Sequence, residues 1–358
     1  MPAIWLIDAY RAGERGQVRA LADAIAHATG WPCRRIALEY RGSVILPHVL
    51  GQTTLAGISK SSAAALAPPW PDLVITCGVR NEPVCRWIRQ QSGGRTRYLH
   101  LGRPWAALDS FDLVVTTPQY RVPDRDNVVN NELTLHAVDA ERLRAEGERW
   151  SSTFASLPRP LVTVNVGGDS GPYTLRRKAA ARLARGASEL VRARGGSLLV
   201  STSSRTHPCV VDVIEDTVDV PCHIYRWRPN DGDNPYLGML ALADELVVTA
   251  DSIAMLSEAC ATGKPVYMFD LGGMRPGVST DRDFRWGGVF YGILMRWFWK
   301  RLSRDISLVH AQLAVSGRAT WLGDSPGEVS RQAVGDMERA VAAVQRLFAD
   351  AGDIVDPE

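Results

Sequence analysis

Short, unbroken apolar runs, each ended by glycine or a small polar residue and followed by a helical pattern, recur along this chain and constrain its fold more than any other feature. Ile4-Trp5-Leu6-Ile7, Leu73-Val74-Ile75-Thr76, Leu161-Val162-Thr163-Val164-Asn165-Val166, Leu198-Leu199-Val200 and Val247-Val248-Thr249 are short and rich in β-branched residues, the pattern of strands covered on both faces. Helical spacing follows, as in Val18, Leu21 and Ile25 after the first run and Val84, Trp87 and Ile88 after the second. Strand, turn and crossover helix repeated in this way build parallel α/β sheets. The 358 residues exceed the roughly 250–300 at which single cores stop growing, so two Rossmann-like domains are expected. Ser151-Ser152-Thr153-Phe154-Ala155-Ser156-Leu157-Pro158-Arg159-Pro160 reads as the linker, through its small polar residues and two prolines. The division expected is therefore 1–150 and 151–325. A last helix in 326–358, with Val334, Met337, Val341, Val344 and Phe348 at three- and four-residue spacing, is expected to dock back.

Composition excludes several function classes. A net charge of +2 is too small for a nucleic-acid partner, which calls for a basic stripe with interleaved aromatics. No apolar run approaches the roughly 18 residues that suggest a membrane-spanning helix. Met1-Pro2-Ala3-Ile4-Trp5-Leu6-Ile7 has no basic n-region and runs into Asp8, so it reads as a first strand rather than a signal peptide, and a cytoplasmic protein is expected. The cysteines, at 33, 77, 85, 209, 222 and 260, form no C-x-x-C pair, so neither a metal site nor a disulfide framework is expected; no cofactor is expected either. One stretch, 284–301, has unusual composition: Phe290, Leu294 and Trp297 share a helical face, and Arg296, Lys300 and Arg301 follow. It suits a peripheral membrane contact at the inner face of the cytoplasmic membrane, or an interdomain core helix.

Ligands of open α/β sheets gather at the carboxyl ends of the strands. Asp8 ends the first strand, and the glycine-containing loop after it holds Gly13, Glu14, Gly16 and Gln17. Glycines there let backbone approach a ligand, and the next helix N-terminus offers N–H groups. Asp8 is the first candidate base and Glu14 the second; a solvated loop is the alternative. At the end of the third strand Gly78 marks a tight turn, Asn81 is placed as a helix cap, and Arg80 is placed to face an anionic acceptor group. His100, inside a strand, reads as an interior histidine.

In the second half, Gly167-Gly168-Asp169-Ser170-Gly171 is a moderate phosphate signal without dinucleotide or Walker spacing. Arg176, Arg177 and Lys178 then oppose the positive end of a helix dipole, a conflict that a bound anion would relieve. Ser203, Ser204 and Arg205 combine hydroxyls with a guanidinium, which suits a diphosphate. Asn234 with Pro235 reads as a helix start before Tyr236. The run from Val247 to Pro265 is a strand, the capping residues Asp251 and Ser252, and one short helix stopped by Gly263 and Pro265. Ile253, Leu256 and Cys260 share its apolar stripe, so Glu258 projects beside small Ala254 and Ala261 with room for a ligand.

This last run resembles the nucleotide-sugar site of GT-B glycosyltransferases, where a helix Glu grips the ribose hydroxyls. The Ser257-Glu258 pair, the small residues after it and Gly263-Lys264-Pro265 are similar to a run in the lipid-II-forming N-acetylglucosaminyltransferase. From Trp5 to Phe269 the chain is similar to the elongated-mitochondria (mitochondrial fission) family, whose bacterial members are taken as glycosyltransferases. Gly78-Val79-Arg80-Asn81, Val166-Gly167-Gly168-Asp169, Ser203-Ser204-Arg205-Thr206 and Asp233-Asn234-Pro235-Tyr236 carry that resemblance. It implies GT-B architecture, two Rossmann-like domains with parallel sheets facing a cleft. It also implies a metal-independent transfer of sugar from a nucleotide-diphosphate donor to a hydroxyl acceptor, lipid-linked or a cell-envelope glycan, with Asn234 and Tyr236 lining the donor side. Relatives carry Gly-x-x-Gly-His-x-x-Gln where this chain reads Gly13-Glu14-Arg15-Gly16-Gln17, so their histidine is missing here. A nucleotide-sugar epimerase and a non-catalytic adaptor of the mitochondrial-fission type are the alternatives.

Overall fold

A computed structural model describes residues 1–41, 53–229, 231–275, 277–278, 280–297, 304–324 and 335–349, with backbone alone at Ala12 and 294–297. The chain divides into Met1–Ala137 with Val334–Glu358, and Val138–Ala333.

In the first unit β1 (Ile4–Ile7) leads to α1 (Ala12–Thr29) and β2 (Cys33–Ile36), and α2 (Lys60–Ala64) precedes β3 (Leu73–Cys77). Then come α3 (Glu82–Gln91), β4 (Arg97–Leu101), β5 (Leu113–Thr116) and β6 (Val128–Asn130). The strands pair in parallel in the order β2-β1-β3-β4-β5-β6. Successive side chains of a strand point to opposite faces. Ile4 and Leu6 accordingly pack with Val18, Leu21 and Ile25 of α1, while Trp5 and Ile7 pack with Val84, Cys85 and Ile88 of α3. Both faces being covered is why these strands read as continuous apolar runs. The C-terminal helix, α11 (Asp336–Ala349), lays Ala340, Val344 and Phe348 on the α1 side of this core. Phe348 meets Trp31 edge-on at 4.6 Å between ring centroids. Val334 lies outside the described residues.

The second unit runs α4 (Ala140–Phe154), β7 (Leu161–Val166), α5 (Arg177–Arg192), β8 (Ser197–Thr202), α6 (Pro208–Thr217), β9 (Cys222–Tyr225), α7 (Tyr236–Leu242) and β10 (Glu245–Thr249). It continues through α8 (Ile253–Ala261), β11 (Val266–Phe269), α9 (Trp286–Trp297), α10 (Ser307–Val315) and β12 (Thr320–Trp321). Its parallel order, β12-β11-β10-β7-β8-β9, places the reversal of strand order between β7 and β10.

Two expectations about segments change. Ser151–Phe154, read as linker, is the last turn of α4, with its serines and threonine in solvent and Phe154 buried against Leu161, Leu199 and Met239. The division falls between Ala137 and Val138 because α4 seats on α7. There Gly238 leaves space for Trp150: a Cβ on it would stand 2.4 Å from the indole. The glycine loop after β1 is also shorter than expected. Helix α1 begins at Ala12, so Gly13, Gly16 and Gln17 lie in its first turns.

Candidate functional site

Each sheet has one place where neighbouring strands send their connections opposite ways, and the carboxyl ends there form a crevice. In the second unit these ends are β7 and β10. Thr249 Oγ1 accepts the Gly167 N–H at 2.7 Å, and Asp251 Oδ2 accepts the Gly168 N–H at 3.1 Å. A Cβ on Gly167 would stand 2.5 Å from the Asp251 carboxylate, and one on Gly168 would stand 2.1 Å from the Arg205 carbonyl oxygen. These glycines are therefore required by close approach. Arg205 Nη1 pairs with Asp251 Oδ2 at 2.8 Å, the Asp251 side chain fully buried and the Arg205 side chain 40% exposed. The same Nη1 also donates to the Asp169 carbonyl at 3.3 Å, so the cation is held at the crevice by both. Asp251 Oδ1, also buried, has no hydrogen-bond partner among the described residues.

The 203–206 loop is tied to the end of β7. Thr206 Oγ1 donates toward the carbonyls of Val166 (2.9 Å) and Gly167 (2.6 Å), and Ser203 Oγ donates to Gly167 O at 3.2 Å. Ser203 is thus occupied in holding the loop, and Ser204 stands exposed at its tip. Ser252 sits at the N-cap of α8 without its side chain taking a first-turn N–H. Beneath, His310 of α10 donates Nε2–H to Ala250 O at 2.7 Å, and burial lowers its pKa so that it stays neutral.

On α8 the Glu258 carboxylate accepts a hydrogen bond from the Tyr236 hydroxyl. Burial raises its pKa, opposed by that bond and by the charge of Arg142. The open position expected for Glu258 is therefore half-filled by Tyr236. Asn234 Oδ1 accepts the Tyr236 N–H at 3.0 Å, a capping contact as expected, but Pro235 is the N-cap rather than the first helical residue. Ser257 is buried with its hydroxyl on Ile253 O at 2.8 Å, so it faces the core.

The largest departure concerns α5. Its first N–H groups are not open to a phosphate, because Asp283 accepts from Arg176 (2.9 Å), Lys178 (3.1 Å) and Ala179 (3.0 Å). The protein's own carboxylate offsets the dipole conflict of the basic run. Lys178 also pairs with Asp281 at 2.9 Å. Asp169 is likewise engaged: it accepts the Leu175 N–H at 2.9 Å, pairs with Arg176 at 2.7 Å and lies 3.6 Å from Arg285. It shapes the loop from 169 to 176.

In the first unit the corresponding ends are β1 and β3. Asp8 forms a two-pronged ion pair with Arg19, whose Nε lies 2.9 Å from Oδ1. It is a structural anion, and the geometry disfavours it as a base. Asn81 does not cap α3 through its side chain. Its amide N–H groups reach Thr76 Oγ1 (2.7 Å) and Asp8 O (3.0 Å), and its oxygen accepts from Tyr40. Glu14 lies against Gly78, with Oε2 3.1 Å from where a Cβ would stand, and its Oε1 lies 3.5 Å from Arg11. Gly78 has φ +90°, so glycine is needed there for conformation as well as space. Arg80 and Arg11 lie over the exposed Tyr10 ring at 4.7 and 5.3 Å. Gly13 and Gly16 face open space, and Gln17 Nε2 donates to Gly13 O at 3.2 Å.

The candidate residues missed from sequence are Thr249, Asp283 and His310. Thr249 lies in the run from Val247 to Pro265 but does not stand out there by type, and Asp283 and His310 sit in no motif; each acts on residues far away in the chain.

Two Rossmann-like units with six parallel strands each, and a switch-point crevice in each, are the fold of the GT-B class. Similar solved structures are S. aureus MnaA with UDP, at 11% identity and TM-score 0.51 over 100% of this chain and 99% of that one, and a glycosyltransferase from Rickettsia africae ESF-5. The latter is 12% identical with TM-score 0.50, covering 99% of each chain. Within this class the chain belongs to the Mitochondrial fission ELM1 family, whose sequence profile matches residues 12–282. It is 31% identical over 252 residues to Mitochondrial fission protein ELM1 of Arabidopsis thaliana, 64% of this chain and 58% of that protein's length. Uncharacterized protein RP120 of Rickettsia prowazekii (strain Madrid E) is 24% identical over 297 residues, 74% of this chain and 82% of the relative.

Proposed function

We propose that this protein is a glycosyltransferase whose second unit binds a nucleotide-diphosphate sugar at the ends of β7 and β10. The observation that carries the reading is the contrast between two helix starts. That of α5 is filled by Asp283, whereas that of α8 takes no side-chain cap and belongs to the same crevice as the anchored Arg205. A helix N-terminus beside a positioned guanidinium favours phosphate oxygens. Glu258 on the same helix is the residue for the ribose hydroxyls, and the UDP of the MnaA structure supports a nucleotide on this fold. In the first unit Asp8 is committed to Arg19, which leaves Glu14 as that unit's candidate base. The acceptor oxygen bonds to the anomeric carbon, its proton passes to a carboxylate base, and the anomeric C–O bond breaks with its electron pair leaving on the diphosphate. Arg205 and the α8 N–H groups meet that charge.

A thermal-shift screen against nucleoside diphosphates and their sugars tests this, because selective binding at 100 times Kd adds about 2.7 kcal/mol to stability. One nucleotide series should raise the melting temperature, and Arg205→Lys should remove most of the shift while keeping the charge over Asp251. No shift with any nucleotide would favour the adaptor reading that the family's name suggests.

A further inference from the structure

Helix α9 is amphipathic in the wrong sense for a buried element. Trp286 (78% exposed), Val289, Phe290 (70% exposed) and Ile293 recur at the spacing of one helical stripe, and that stripe faces solvent, with exposed Phe284 just before it. In a surface helix of a globular protein the apolar stripe faces the core. Here the seated side is the one with the smallest and most polar residues. A Cβ on Gly288 would stand 2.8 Å from Pro172 O, Tyr291 packs on Gly171, and Pro172 lies beside Gly292. Arg285 fixes the orientation, donating to Gly171 O at 2.7 Å and lying 3.6 Å from Asp169. Arg304 adds a hydrogen bond to Ser170. The helix thus cannot roll its aromatics inward without giving up the contacts that tie it to the glycine loop.

We infer that the outer face of α9 is a docking surface for an anionic lipid membrane. The occupant follows from charge: after the stripe the sequence carries Arg296, Lys300 and Arg301 and no acidic residue before Asp305, and the acidic residues ahead of it, Asp281 and Asp283, are engaged by Lys178 and the first N–H groups of α5. An aromatic stripe followed by cations matches an anionic headgroup layer. A second copy of the chain is the poorer occupant, since a two-fold contact would set the same cations against one another. With 12 residues the helix is about 18 Å long, and no helix among the described residues is long and apolar enough to cross a bilayer. The contact is therefore monotopic, lying in the plane of the interface. Its underside is the loop that holds Gly171 and Asp169, so docking would set the donor side of the second unit at the lipid surface. The inference goes beyond sugar transfer and does not depend on it, because vesicle binding is read without donor or acceptor.

The test is co-sedimentation of the full chain with vesicles of zwitterionic lipid alone and with vesicles carrying about 30% phosphatidylglycerol. Binding is expected to the anionic vesicles, weakening as salt shortens the Debye length below about 8 Å. The double variant Trp286→Ser, Phe290→Ser should lose at least about tenfold in partitioning with an unchanged melting temperature, since both side chains stand in solvent. Three outcomes would overturn it. These are no pelleting with anionic vesicles at low salt, a variant that melts early while still binding, or a concentration-dependent dimer, broken by the variant, that ignores vesicles.

Discussion

The two switch points of this molecule are built from different materials. At the ends of β7 and β10 a buried carboxylate, Asp251, holds a guanidinium and a glycine N–H. At the ends of β1 and β3 a buried neutral amide, Asn81, ties Thr76, the backbone of Asp8 and Tyr40 together. A buried charge is stable only with its partner in place, so the first arrangement fixes one cation in one position. A neutral amide asks less of its neighbours, and the cations near it, Arg11 and Arg80, lean on exposed Tyr10 instead. The difference suits a site preorganised for one charged group in the second unit and an adaptable surface in the first.

The strongest way to break this comparison is to strand the buried anion. Arg205→Ala leaves Asp251 without its cation and should cost about 3 kcal/mol of unfolding free energy at neutral pH. Asp251→Ala should cost about half of that, because the released guanidinium is already partly in solvent, and the double variant should cost less than the sum. Urea denaturation of the four proteins measures the cycle. Strict additivity would mean that the pair is not what holds the crevice.

Glu258→Ala should weaken nucleotide-sugar binding by about tenfold to a hundredfold while the fold persists, the loss of a charge-assisted contact. Titration calorimetry reads it. Glu258→Gln keeps an acceptor for the Tyr236 hydroxyl and separates the ligand's loss from Tyr236's. Equal affinity in both variants and the parent would remove the ribose role and leave Arg205 alone as the donor contact.

In the first unit Asn81→Ala should cost about 1–2 kcal/mol, the price of leaving neutral partners unpaired, and should not change donor affinity. A cost as large as that of Arg205→Ala would erase the distinction between the two crevices.

The smallest effect on the parent protein is in pH, where the buried charge question of the first unit lies at Glu82 and His100 rather than at its crevice. Glu82 accepts the Trp105 and Ala106 N–H groups, and burial raises its pKa from 4.5 to about 7. Its contribution to stability is present below pH 4.5 and lost as pH rises toward 7. His100, 3.9 Å from Glu82, is lowered by burial from 6.5 to about 3. Its contribution is present above 6.5 and lost as pH falls toward 3. The opposite slopes, each up to about 1.4 kcal/mol per pH unit, cancel between 4.5 and 6.5. The two contributions should therefore offset each other there, and His100→Phe should make unfolding free energy decline with rising pH relative to the parent.

Much of the fold was legible because burial on both faces of a parallel sheet leaves a mark that needs no partner to be read. Leu161 to Val166 is continuously apolar apart from Thr163 and Asn165, and its end at Gly167-Gly168 marks the crevice. The site was legible in its residue types more than in their tasks. Arg205 is anchored on Asp251 at the crevice, whereas Ser203 and Asp169, chosen for the same chemistry, are engaged in shaping their loops. The linker reading failed because Ser151, Ser152 and Thr153 look the same on the exposed side of a last helical turn as in an extended connection.

Local periodicity and turn chemistry settled the strands, the helices after them and the number of units, because each of those depends on neighbours a few residues away. Pairing across the chain settled the rest. That the start of α5 is closed while a positioned cation stands by the start of α8 depends on Asp283, more than 100 positions beyond α5's first turn, and on Asp251 meeting Arg205 from another strand. A carboxylate has the same composition wherever it lies, and only the folded backbone decides which N–H groups and which cation it satisfies.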